Sequence, residues 1–383
     1  MKEDFRNIAF FEGITPYWKD IQIFLNQKKD FEIFYVFQSF MGYNSILLKR
    51  DIPFEPHYLM HESKNKIRIS ELHRIIKKYN PRYVISIEFS MLTVQLLLLK
   101  WMCGGNFKLI VRTDDSYNML TENNDFSKAH RIARKILPHF VDDMIVVERQ
   151  VEQWHLKHSG KGFWLPIIAD ENRTESLYER VLPISRQYVE RYNLAGKRVL
   201  LSVSRLVDLK NLHRVIDAFD QARNDALLVI VGDGPERNEL EKHASQVGKD
   251  IIFVGRFEGD ELYAWYNLAN VFILASYQEP FGAVTNEALL AGCRVVISRS
   301  AGSSCLVDET NGELINPMDV EEIASAIDRQ LEQTKVPNLI QTRKSLMTVS
   351  FQERMNSLLD RMDNLNNYGS STKAASLMLF KMV

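Results

Sequence analysis

Two glutamates, Glu279 and Glu287, stand eight residues apart in QEPFGAVTNEALLAG, Gln278 to Gly292. The apolar run VFILAS before them reads as a buried strand, and Val284, Ala288 and Ala291 recur at helical spacing after them. The carboxylates therefore flank a glycine turn where a strand hands over to a helix. In open α/β sheets ligands bind outside the carboxyl ends of strands, and amides near Gly282, Ala283 and Val284 would face an anion there. A phosphate fits such a place, with the carboxylates addressing hydroxyls on either side of it. If helical rise held throughout, the two glutamates would lie about 12 Å apart. Capping and helix-dipole preference explain either glutamate taken singly.

Three further turns share this design. RVLLSVS leads into RLVDLKN, so Arg205 and Lys210 sit in a strand-to-helix loop. There they either neutralise a diphosphate or stand as solvated loop charges. VIVGDGPERNEL follows a strand with Gly232 and Gly234 but lacks the third glycine of a dinucleotide fingerprint, which weakens a nicotinamide-binding reading. IIFVGRFEGDEL ends a strand at Gly255, Arg256 and Phe257, where a loop either reads a flat base edge or makes an ordinary turn.

These turns need a parallel sheet to position them. Strands are expected at Arg6–Phe11, Glu32–Phe37, Tyr83–Ile87, Lys108–Val111 and Asp143–Val147. A second set is expected at Val199–Val203, Leu227–Val231, Ile251–Val254, Val271–Leu274 and Arg294–Ile297. Helices alternate with them, among them Ile67–Lys78, Ser90–Met102 and Ser127–Leu137. Strand-helix alternation implies parallel sheets covered on both faces, here two Rossmann-like domains in an α/β chain. The expected division is residues 1–165, a turn-rich linker over 166–196, a second domain over 197–350 and a helical segment over 351–383 that crosses back to the first domain. The stretch NNYGSSTK would break that last segment.

The 383 residues suffice for two cores, and 45% hydrophobic with 25% charged residues excludes a disordered chain. A net charge of −1 gives no general attraction to nucleic acid. Three cysteines without paired spacing suit a reducing cytoplasm. The charged start MKEDFRNIAFFEG has no signal-peptide core. The apolar stretch Met91–Cys103 is too short to span a bilayer and reads as a core helix, with a membrane-surface helix as the lesser alternative. KAHRIARKILPHF, with Arg131, Arg134 and Lys135, is either a solvated helix face or a surface for anionic membrane. His57 and His61 could meet on a helix face, but no third ligand is near and no metal site is expected.

In their order and spacing the four turns, with NGELINPMD near the end, resemble the donor-binding domain of the retaining glycosyltransferases of family 4, which have the GT-B fold of two Rossmann-like domains facing a cleft. The resemblance covers roughly Val199 to Gln330 and thins over the first domain. It implies that Glu279 holds hydroxyls of the transferred sugar, Glu287 the ribose, and Arg205 and Lys210 the diphosphate. The amides after Phe281, of Gly282, Ala283 and Val284, would bind sugar or phosphate, and the loop at Arg256 and Phe257 the base. It further implies retention at the anomeric carbon, with the leaving phosphate helping to deprotonate the incoming hydroxyl, and no metal or other cofactor.

The match departs at two places. Gly13 in FFEGITPYW stands without the adjacent glycine that the family commonly has, and LIVRTDDSYN has Asp114 or Asp115 where many members carry a histidine facing the sugar. Asp114 either takes that role or, with Asp115, caps a helix or forms a turn. The expected partners are a nucleoside diphosphate sugar with UDP or GDP as carrier and a glycan or lipid-linked acceptor, in bacterial surface polysaccharide synthesis such as lipopolysaccharide or capsule. The expected place is the cytoplasm, at the inner membrane face if peripheral contact is made. The rival readings are a nucleotide-sugar epimerase of the same fold and a non-catalytic partner subunit.

Overall fold

The computed structural model describes residues 6–15, 17–28, 30–37, 52–59, 67–122, 127–335 and 341–365. They form two units. One comprises the described residues up to Ile167 together with those from Gln352 onward; the other is Ile168–Phe351.

The first unit is built on β1 (Asn7–Phe11), β2 (Phe31–Tyr35), β3 (His57–Tyr58), β4 (Tyr83–Ile87), β5 (Lys108–Thr113), β6 (Asp143–Val146) and β7 (Phe163–Trp164). These described strands are parallel and ordered β3-β2-β1-β4-β5-β6-β7. The second unit has β8 (Val199–Val203), β9 (Leu227–Val231), β10 (Ile251–Gly255), β11 (Val271–Leu274), β12 (Arg294–Ser298) and β13 (Gly312–Ile315), parallel and ordered β10-β9-β8-β11-β12-β13. The strand order reverses between β1 and β4 in one unit and between β8 and β11 in the other. Each reversal leaves a crevice at the carboxyl ends of the strands, the place where such sheets take ligands.

Every residue of β4, β8, β9 and β11 is buried, because helices cover both faces of the sheets. Leu200, Leu228, Ile230, Ile273 and Val296 meet Val215, Ile216, Phe219 and Ile327 of the flanking helices in the second core. In the first core Ile8, Val84, Leu109 and Val111 meet Leu72, Leu92 and Leu96. The helix Met91–Met102 buries Leu92, Leu96, Leu97 and Leu99 and leaves Leu98 exposed, with Met91 and Met102 exposed at its ends. Among the described residues no helix is long and apolar enough to cross a membrane.

Residues 166–196 depart from the expected linker. They carry two helices, Glu171–Arg180 and Leu182–Arg191, that belong to the second unit. Only Tyr178, Val181, Ser185 and Tyr188 form their fully buried stripe, so the remaining polar residues gave this stretch the composition of a loop. Tyr188 stacks on Trp265 at 4.7 Å, and Ser185 Oγ donates to the Ala264 carbonyl at 3.1 Å. The helix Phe351–Asn364 buries Met355, Leu358 and Met362. Its Arg361 donates to Asp143 at 2.6 Å, and Tyr83 of β4 donates to the Met362 carbonyl at 2.8 Å. Residues 366–383, with the expected break at NNYGSSTK, lie outside the described residues.

Candidate functional site

After β8 the chain makes a short 3-10 turn, Asp208–Lys210, and reverses at Asn211, which has φ of 58°. Asparagine tolerates this left-handed conformation better than most side chains. Its buried amide donates to the carbonyls of Ala275 at 3.0 Å and Pro317 at 2.6 Å, stapling the turn to the end of β11. Tyr277 N–H donates to the Leu209 carbonyl at 3.0 Å, closing the same seam. The turn so fixed delivers Lys210 to Glu279, and the two form an ion pair across the β8–β11 crevice. Their side chains are 15% and 14% exposed, so the pair is largely withdrawn from water. Arg205 is exposed in the same loop and has no ion-pair partner among the described residues.

Glu279 is not part of the following helix. It pairs as an isolated bridge with Ala301, and its carbonyl accepts from Gly302 N–H at 3.0 Å. Only Val284–Leu290 is helical, so helical rise does not span the two glutamates. Gly282 turns the chain between them at φ of 88°; a Cβ there would come within 2.7 Å of Leu274 Cδ2 and 3.1 Å of Glu279 Cγ. Phe281 is buried, anchoring the turn, while the amides of Gly282, Ala283 and Val284 occupy positions that lack intrahelical acceptors.

Glu287 lies in the first turn of that helix. Tyr266 donates its phenol to Glu287 Oε2 at 2.8 Å, and Tyr178 donates to the Glu287 main-chain carbonyl at 2.6 Å. Burial, and after it neighbouring acidic groups including Glu287, hold both phenols well above their usual range, so they remain donors. Sequence reasoning missed both tyrosines. Their spacing marks them as core positions, and nothing local distinguishes a phenol aimed at a carboxylate from one packed in a core.

The glycines of the third turn serve close packing. A Cβ on Gly232 would lie 1.8 Å from the Ser204 carbonyl oxygen, and one on Gly234 2.3 Å from that of Leu206. They let the β9 turn lie against the loop that carries Arg205. After β10, Arg256 is exposed and pairs with Glu258, whereas the Phe257 ring packs against Tyr188 at 5.6 Å and Trp265 at 6.1 Å.

Gly13 and Asp114 belong to the first unit, at the carboxyl ends of β1 and β5. Buried Arg112 joins their strands: it donates to Glu12 at 2.6 Å and to Asp114 at 2.7 Å, with its guanidinium 4.2 Å from the Trp18 ring centre. Glu88, at φ of 51° just after β4, accepts from Asp114 N–H and Thr113 Oγ1, each at 3.1 Å. Removal from water, then the Asp115 and Asp114 carboxylates, push Glu88 up to about 8. Arg134, expected on a solvated or membrane-facing helix surface, is instead buried against Asp115, with one bond at 2.8 Å. Asp115 is thus an internal ion-pair partner, and Asp114 remains 41% exposed. His57 lies on β3 beside Glu32 rather than on a helix, and His61 lies outside the described residues.

The reversed strand order and the parallel sheets covered on both faces define a class of Rossmann-like α/β chains. Residues 186–345 match the family described as Glycosyl transferases group 1. An uncharacterized glycosyltransferase of Methanocaldococcus jannaschii is 32% identical over 177 residues, 42% of this chain and 45% of the relative. A lipopolysaccharide core biosynthesis glycosyltransferase of Rhizobium meliloti is 32% identical over 167 residues, 43% of this chain and 46% of the relative. These matches span less than half the length of either relative. The crystal structure of Anabaena HepE in complex with UDP-glucose is similar, with a TM-score of 0.68 at 19% identity, covering 95% of this chain and 100% of that one. The fold is of the GT-B kind, with two Rossmann-like units, and the match to Glycosyl transferases group 1 lies within the second unit.

Proposed function

We propose that this chain is a glycosyltransferase that moves a sugar from a nucleoside diphosphate sugar to a hydroxyl of a glycan or lipid-linked acceptor, with retention and without a metal. The observation that supports this reading is the meeting of Lys210 and Glu279 at the β8–β11 crevice, with Glu287 in the helix that follows. Lys210 and exposed Arg205 take the diphosphate, the Gly282–Val284 amides its oxygens or the sugar, and Glu279 the sugar hydroxyls. Glu287 takes the ribose, and the backbone at Arg256 and Phe257 takes the base. As the sugar–phosphate bond breaks, negative charge gathers on the diphosphate, where fixed cations and amides lower the barrier. The leaving phosphate then accepts the proton of the incoming hydroxyl. Asp114 and Gly13 are the first unit's own candidates for binding a sugar.

Surface polysaccharide synthesis is the proposed setting, in keeping with the Rhizobium relative's name. The helix Lys128–Ile136 presents Ile132 and Ile136, 57% and 41% exposed, beside Lys128 and Lys135. We assign this face to peripheral contact with anionic lipid at the cytoplasmic side of the membrane.

The test is calorimetric titration with UDP, GDP, ADP and NAD, with and without chelator. One nucleoside diphosphate should bind regardless of chelator and bind more weakly to Arg205→Ala. Binding of none, or of NAD alone, would overturn the reading.

A further inference from the structure

We propose that Tyr266 is a positioning residue for Glu287, setting the direction from which that carboxylate receives a ligand hydroxyl, with Tyr178 anchoring the backbone beneath it. The inference rests on the reading of Glu287 as the ribose-binding group.

Tyr266 is fully buried in the helix Asp260–Leu268, and a phenol so placed needs an acceptor. Its acceptor is Glu287 Oε2 at 2.8 Å. An ionised carboxylate only accepts, so the phenol must donate, and the bond pins the end of an otherwise flexible side chain. Tyr266 has little room to move, because its ring packs against Phe272 of β11 at 6.0 Å and Tyr263 at 6.4 Å. Tyr178 approaches from the helix Glu171–Arg180 and donates to the Glu287 carbonyl, which also accepts from Ala291 N–H at 3.1 Å. Side chain and main chain of one residue are thus held by phenols from two different helices. Such support from rigid elements is what holds a binding group in a productive geometry. A pinned carboxylate favours ligands that donate, and the neighbouring hydroxyls of a ribose are two donors.

The experiment uses whichever of UDP, GDP and ADP binds the full-length protein, together with its 2′,3′-dideoxy counterpart, titrated into wild type, Tyr266→Phe and Glu287→Gln. Wild type should prefer the ribose form. Tyr266→Phe should lose about tenfold of that preference, the scale of one hydrogen bond to a charged group, with affinity for the dideoxy form unchanged. An equal loss for both ligands would mark a merely structural role and overturn the inference, as would an unchanged preference. If Glu287→Gln keeps the preference, or wild type has none, the ribose reading itself falls. If Glu287→Gln loses it while Tyr266→Phe keeps it, only the positioning role falls. Should Tyr266→Phe fail to fold, Tyr178→Phe takes its place, with a reduced preference expected and an intact one overturning the proposal.

Discussion

Lys210 Nζ donates to Glu279 Oε2, joining the loop after β8 to the loop after β11. The proposed roles assign these two charges to different parts of one ligand, so a bound diphosphate competes with Glu279 for the ammonium. Glu279→Gln should therefore bind the nucleoside diphosphate at least as tightly as wild type, while Lys210→Ala binds it about 10- to 100-fold more weakly. Sugar transfer should fall about 10²- to 10³-fold in Glu279→Gln. Calorimetry paired with a transfer assay separates the effects. Equal weakening of diphosphate binding by both substitutions would contradict the assigned roles, as would undiminished transfer by folded Glu279→Gln, whereas absence of transfer by wild type that binds the donor would favour a non-catalytic partner subunit.

Gly282 combines a φ of 88° with neighbours that leave no space for a Cβ. Gly282→Ala should cost about 1–3 kcal/mol, from backbone strain and from pressure on Leu274. Because the new methyl also meets Glu279 Cγ, transfer should fall by more than the lost stability explains. Urea unfolding midpoints beside initial rates test this, and a variant as stable and active as wild type would refute the packing argument.

The acidic cluster at the β1–β4 crevice makes stability depend on pH. Glu88 is held up to about 8, above its value in an unfolded chain, by removal from water and by Asp115 and Asp114. Between about pH 4.5 and 8 the folded protein therefore binds more protons than the unfolded one, and this group's contribution to stability falls as pH rises. Glutamine mimics the protonated form. Relative to wild type, Glu88→Gln should gain stability progressively from pH 5 to pH 8 and gain no more above that. Thermal unfolding across this range is the measurement, and a constant difference would exclude the assignment.

The helix Lys128–Ile136 supplies a test at a membrane surface. Each basic residue near an anionic bilayer contributes about 1 kcal/mol, so replacing Lys128, Arg131 and Lys135 together by glutamate should weaken vesicle binding by at least about a hundredfold. Co-sedimentation with phosphatidylglycerol vesicles should show this loss, and phosphatidylcholine vesicles should bind neither protein. Equal binding of both proteins to the anionic vesicles would remove this helix from the contact.

Much of the scaffold was legible in the chain because local rules governed it. β8, β9 and β11 stood out as short apolar runs closed by turn residues, and Gly282 marked a turn that only glycine makes cheaply. β3 and β7 escaped notice because two residues carry no periodicity. The helices of 171–191 escaped because one narrow stripe, Tyr178 to Tyr188, suffices to dock them. Arg134 resembled its solvated neighbours until the fold placed Asp115 against it.

The sequence by itself determined which residue types end the strands: a lysine and an arginine after β8, glutamates around the turn after β11, acids after β5. Those choices are written in consecutive residues, where apolar runs, glycine and the first helical turn act locally. Tertiary structure alone decided their partners. Lys210 and Glu279, 69 residues apart, meet because the strand order sets β8 beside β11, and Glu287 is held by two tyrosines because separate helices pack onto its turn. Burial makes such pairings obligatory, since a phenol or charge taken from water must find its complement wherever the fold brings one.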